Sequence, residues 1–114
     1  MRIIGTVIRG KGEGRVLGFP TANLKINLPF ILADGVYLAK IKVKDQKYRA
    51  LAVKGMAQDL EVWLKDFSGD LYGQELAVEI GQKISELGTF TNQQELIAKI
   101  KADLKIAEKL WATN

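Results

Sequence analysis

Apolar and polar residues alternate with a period of two in several short runs over the first eighty residues, and the period lengthens after Gln93. Ile3 to Ile8 is β-branched and apolar and reads as a first strand. Gly35 to Lys44 alternates, with Ile41 and Val43 opposed to Lys40, Lys42 and Lys44, which predicts a strand with one wet face. Lys44-Asp45-Gln46 predicts a tight turn, Tyr48 to Val53 the returning strand, and Lys54 to Asp59 a loop. Leu60 to Phe67 puts Leu60, Val62 and Leu64 on one face and Glu61, Trp63 and Lys65 on the other. Ser68-Gly69-Asp70 has turn chemistry, and Leu76 to Ile80 alternates again. Leu24 to Asp34 contains Pro29 and little periodicity, so an irregular crossing is expected there.

From Gln93, the residues Leu96, Ile97, Ile100, Leu104, Ala107 and Trp111 fall at steps of three and four, the stripe of an amphipathic helix. Asn92 with Glu95 resembles a capping box at its start. The lysine row Lys99, Lys101, Lys105 and Lys109 is expected to be a solvated face. Short strands ahead of one terminal helix predict an α+β domain, mainly β, built on a small antiparallel barrel.

Composition narrows the chemistry. The 114 residues suit a single domain, 1–114, and 47% apolar content suits a packed core. Cysteine and histidine are both absent, which excludes disulfides, thiolate and imidazole catalysis and the usual zinc sites. Acid–base work is left to carboxylates, lysine and tyrosine. Met1 to Gly5 lacks the apolar core of a signal peptide and no apolar run is long enough to span a membrane, so a cytoplasmic location without membrane contact is expected. The formal charge of +4 fits a nucleotide site, a nucleic-acid surface or a merely solvated face, and decides nothing alone.

The stretch from Gly10 to Asn23 holds the candidate chemistry. Gly10, Gly12 and Gly14 stand at alternate positions, where a run of glycines can turn several main-chain N–H groups toward one anion. Arg15 adds a planar, permanently charged donor suited to phosphate. Pro20 stiffens the exit, and Thr21 and Asn23, two apart on an extended segment, can offer oxygens to one hard cation such as magnesium. The P-loop ending Gly-Lys-Ser/Thr is absent, and Arg15 with Pro20 breaks the Rossmann fingerprint. A surface hairpin whose glycines are only turn residues is the competing reading.

Gly14-Arg-Val-Leu-Gly-Phe-Pro-Thr-Ala-Asn23 resembles the signature of the riboflavin kinases, and the similarity runs from Gly5 to about Ala107. The resemblance implies a six-stranded Greek-key barrel with a C-terminal helix that transfers the γ-phosphate of ATP to riboflavin, making FMN. It implies an ATP-phosphate loop at Gly10, Gly12, Gly14, Arg15, Gly18 and Pro20, and magnesium on Thr21 and Asn23. Glu61 opens Glu-Val-Trp-Leu-Lys-Asp-Phe67, followed by Ser-Gly-Asp-Leu-Tyr-Gly73, and in the resembling family a glutamate placed so is the general base. Trp63 and Tyr72 can stack on a flavin or adenine ring or simply pack; Asp66 and Asp70 read as turn formers. Two segments depart from the family pattern. Val53 stands where an asparagine is usual and a Pro-Thr-Phe segment is missing before Glu61; in Ile84 to Phe90, Ser85 and Leu87 stand where an Arg and a Glu are usual. The expectation is a monomeric kinase binding riboflavin/FMN and ATP/ADP, without nucleic acid and without the adenylyltransferase domain needed for FAD. A non-catalytic flavin- or nucleotide-binding module is the alternative, and a basic barrel binding single-stranded nucleic acid is the third reading.

Overall fold

The computed structural model describes residues 1–8, 21–26, 30–55 and 60–113, with Thr21 described by its backbone. Its strands are β1 (Arg2–Ile8), β2 (Thr21–Ile26), β3 (Gly35–Val43), β4 (Gln46–Lys54), β5 (Leu60–Leu64) and β6 (Glu75–Ser85), followed by helix α1 (Gln93–Ala112). All neighbours are antiparallel, and the six strands close into a barrel in the order β1-β2-β5-β4-β3-β6. The expected six-stranded barrel with a C-terminal helix is therefore what the chain forms.

Alternation decides which side chains fill the barrel. Leu24, Ile41, Leu60, Val62 and Val78 are fully inside it, at 0% exposure. A second apolar layer lies outside, where Val36, Leu51 and Trp63 meet Ile100, Ala107 and Trp111 of α1. Burying two faces of the same strands explains why β5 reads as an almost unbroken apolar run: only Glu61 of its five residues is less than fully buried. Closure needs curvature, and β6 supplies it through two register shifts against β3, between Val36 and Tyr37 and between Tyr37 and Ala39. At the start of β3, Gly35 adopts φ +151°, and a Cβ there would stand 2.5 Å from Lys83 Cε and 2.9 Å from the Ser85 carbonyl.

Four local expectations change. Leu24 to Asp34 is not wholly irregular, because Leu24–Ile26 belongs to β2, paired on one side with β1 and on the other with β5. Thr21–Ile26 in fact alternates polar with apolar, putting Ala22, Leu24 and Ile26 toward the interior; a segment opened at Leu24, with Pro29 beyond, cuts that pattern in half. β5 ends at Leu64 rather than Phe67, since Asp66 turns the chain with φ 60°. Lys54 is not in a loop: it ends β4, buried at the barrel end, with Nζ 3.2 Å from Asp34 Oδ1 and facing the Phe30 ring. The helix begins as expected, with Asn92 Oδ1 accepting the Glu95 N–H at 2.9 Å. Its lysine row, however, is not uniform. Lys101, Lys105 and Lys109 are exposed, whereas Lys99 Nζ lies 2.7 Å from Asp103 Oδ2 and 2.8 Å from Ser85 Oγ. Asp103 is buried, and a buried carboxylate needs a paired cation. Lys99 thus ties the helix to the end of β6.

Candidate active site

The barrel is strongly sheared, so a row of laterally paired residues climbs from one end of β1 to the far end of β3. Ile8 pairs with Asn23, Asn23 with Glu61, Glu61 with Val53, Val53 with Val36 and Val36 with Ser85. Directly paired residues in an antiparallel ladder share a face, with Cβ atoms about 4.5–5.5 Å apart. Two of the residues singled out in the sequence, 38 positions apart, are thereby brought side by side on the outer wall of the barrel. Both Asn23 and Glu61 are half-buried. The next pair on the same face of that ladder is Thr21 with Trp63.

Val62 and its neighbours Leu60 and Leu64 point into the barrel, which forces Glu61 and Trp63 outward. The two outward positions then diverge in environment. Trp63 is 5% exposed because α1 covers it, so of the two readings left open for Trp63, stacking on a ligand or packing, the structure shows packing against the helix. Its indole N–H is not idle, since Nε1 donates to Glu61 Oε1. A donor bonded to a carboxylate oxygen favours the charged form and fixes its direction. This positioning role was missed in the sequence, although the spacing of two on one strand was its signal.

The register brings two oxygen-bearing side chains, the Asn23 amide and the Glu61 carboxylate, together from adjacent strands. Among the described residues no group of three or more carboxylates could hold a metal ion on its own. The phosphate-loop candidates Gly10, Gly12, Gly14, Arg15, Gly18 and Pro20 lie outside the described residues, as does the Thr21 side chain. Their anchors are placed, however. β1 stops at Ile8 and β2 starts at Thr21, so the connection leaves from the barrel end next to Asn23.

The same barrel end carries the β3–β4 turn and the segment after β5. Between them lies a cavity of about 660 Å³ whose lining includes Tyr48, Phe67, Gly69, Asp70 and Gln74. Asp70 behaves as the turn former expected, its Oδ1 accepting the Tyr72 N–H at 2.9 Å. Tyr72 is exposed, whereas Trp63 is buried. Of the two departures from the resembling pattern, Val53 lies beside Glu61 in the row, an apolar neighbour where a polar one is usual. Ser85, in the second, is the residue bonded to Lys99, and Glu86 pairs with Lys83 at 2.7 Å.

Comparison with known proteins places the chain among its relatives. A Haemophilus influenzae protein, described as a bifunctional riboflavin kinase/FMN adenylyltransferase, is 36% identical over 96% of this chain and 38% of its own length. A Bacillus subtilis protein, described as the RNA-binding riboflavin kinase RibR, is 35% identical over 94% of this chain and 50% of its own. The chain thus spans between about two-fifths and one-half of these two relatives. Riboflavin kinase from Trypanosoma brucei shares the fold, with a TM-score of 0.62 at 23% identity, over 96% of this chain and 78% of that one. The family model for riboflavin kinase, Flavokinase, matches residues 1–111, and the chain belongs to that family.

Proposed function

We propose that this chain transfers the γ-phosphoryl group of ATP to the ribityl 5′-hydroxyl of riboflavin, giving FMN and ADP. The observation that carries the reading is the β2–β5 register, which pairs Asn23 with Glu61 on the outer wall of the barrel, two residues along β2 from where the glycine-rich connection joins it. Phosphoryl transfer asks for positioned phosphates and a base near the attacking hydroxyl rather than for covalent chemistry by the protein. Without histidine, a carboxylate is the natural base, and Glu61 is a half-buried one aimed by the Trp63 indole.

Glu61 accepts the proton of the 5′-hydroxyl as its oxygen bonds to the γ-phosphorus. The bond from that phosphorus to the β–γ bridging oxygen breaks in line, and the electron pair leaves with ADP. Asn23, with Thr21, would hold the magnesium that accompanies ATP, which neutralises charge on the phosphates. Gly10, Gly12, Gly14, Arg15, Gly18 and Pro20 cradle those phosphates, and the cavity beside Tyr48 and Phe67 gives the nucleotide room at the same barrel end.

The test is purified protein with magnesium-ATP and riboflavin, with FMN and ADP quantified after separation. Glu61→Gln should fold normally and lower the rate by about 10²–10⁴. A wild-type chain that binds ATP or flavin yet forms no FMN would instead be a binding module on this fold, and an unimpaired Glu61→Gln would remove Glu61 from the chemistry.

A further inference from the structure

The β3–β4 hairpin carries a charge pattern that its own packing does not explain. Its register sets Lys40 opposite Arg49 and Lys42 opposite Lys47, and all four side chains are exposed on the outer face of the barrel. Like charges directly opposite destabilise an antiparallel ladder, and here two such pairs are neighbours on one face. The row extends sideways: Lys40 is paired with Glu79 of β6, and Glu79 with Arg2 of β1. Five cations therefore meet one carboxylate, and that carboxylate is only 3.9 Å from Lys47 with both side chains more than half exposed. A shallow groove of about 240 Å³ runs between them, lined by Arg2, Lys40, Lys42, Lys47, Ala77 and Glu79.

We propose that this face binds nucleic acid through its phosphodiester backbone, without selecting bases. Sheet positions hold the charges in a fixed lattice, about 6.6–6.8 Å apart along a strand and about 4.8 Å between strands. Such a lattice offers phosphate oxygens several contacts at once, and those contacts position a strand without reading it. The groove has no aromatic side chain on which bases could stack, which removes the usual second component of single-strand binding. The chemistry also speaks against an acidic protein. Protein interfaces centre on aromatic or apolar anchors and are depleted in lysine. Here lysine and arginine fill the face, and its apolar members are the half-buried Ala77 and, at the rim, Ile4. The charge of the chain is thus concentrated on the barrel, on strands other than the two that pair Asn23 with Glu61. The inference does not rest on the kinase reading.

The experiment measures fluorescence anisotropy of a short, labelled, single-stranded RNA of mixed sequence with the full chain over a series of KCl concentrations. Four phosphate contacts should give a slope of about −2.8 in log K against log[KCl]. Lys42→Gln with Lys47→Gln should weaken binding roughly tenfold or more at low salt and reduce the slope by about 1.4. The same double variant should raise Tm, because it removes an opposed like-charge pair. Lys101→Gln with Lys105→Gln on the helix deletes the same net charge and should leave RNA affinity nearly unchanged. Three results overturn the proposal: no RNA binding by the wild-type chain at low salt, equal losses in the barrel and helix variants, or preferential capture of labelled polyglutamate, which would assign the face to an acidic protein.

Discussion

The β3–β4 hairpin and the β2–β5 pair are both two-stranded elements of one barrel, yet they are specified in different ways. The hairpin joins two nine-residue strands through the Lys44–Asp45 turn, and every pairing in it is short-range. The β2–β5 ladder brings residues 21–24 to residues 60–63, and it exists only because the barrel closes. The hairpin opposes like with like on its outer face, Lys40 with Arg49 and Lys42 with Lys47. The β2–β5 pair opposes unlike groups, an amide with a carboxylate. Local sequence builds the scaffold; the long-range pairing assembles the chemistry.

The largest expected effects come from emptying the core beneath each element in turn. Leu24 in β2 and Ile41 in β3 are both fully buried in the same interior cluster. Leu24→Ala and Ile41→Ala should each cost about 2–5 kcal/mol, read by denaturant unfolding. Only Leu24→Ala should also lower kcat beyond its loss of folded protein, since Leu24 directly follows Asn23 and pairs with Leu60 beside Glu61. Equal kcat in the two folded variants would show that the β2–β5 register is not what aligns the site.

A smaller effect separates packing from positioning at Trp63. Trp63→Phe keeps a ring under α1 and deletes the indole donor to Glu61. A charge-assisted hydrogen bond contributes about 1.5–3 kcal/mol to stability, so Tm should fall by several degrees, and kcat measured on the folded variant should fall on the order of tenfold as the carboxylate loses its aim. A large Tm loss with unaltered kcat would make Trp63 a packing residue alone. The smallest effect lies in the hairpin. Lys44 holds φ 56°, a conformation that favours glycine, so Lys44→Gly should stabilise the chain by about 0.5–1 kcal/mol without touching kcat. A destabilised Lys44→Gly would mean the turn is held by its side chain rather than by backbone preference.

Legibility follows the same division. Apolar β-branched residues identified β1, alternation identified β3, β5 and β6, the tight turn after Val43 placed β4, and a change of period identified α1 with its Asn92 cap, because these signals lie within a few residues of one another. β2 carries the same period-two signal in Ala22, Leu24 and Ile26, but a segment opened at Leu24 misses it; what its six residues do not encode is which strands lie beside it. Glu61 was legible as outward-facing from Leu60, Val62 and Leu64, but its neighbour Asn23 was not, since no spacing in the sequence encodes a lateral pair. Lys99 looked like its companions Lys101, Lys105 and Lys109 until the helix docked and buried Asp103 beside it.

The sequence by itself determined the element types, the inward face of each alternating strand, the exclusion of thiol and imidazole chemistry and the resemblance to riboflavin kinases. Those are consequences of side-chain polarity, residue type and short-range backbone preference, all written along one dimension. Tertiary structure decided that Asn23 lies against Glu61, that Trp63 is covered and bonded rather than open, and that Lys40, Lys42, Lys47 and Arg49 share one bare face. Closing the sheet fixes the shear and the register of every ladder at once, and lateral proximity is a property of that closure rather than of any segment.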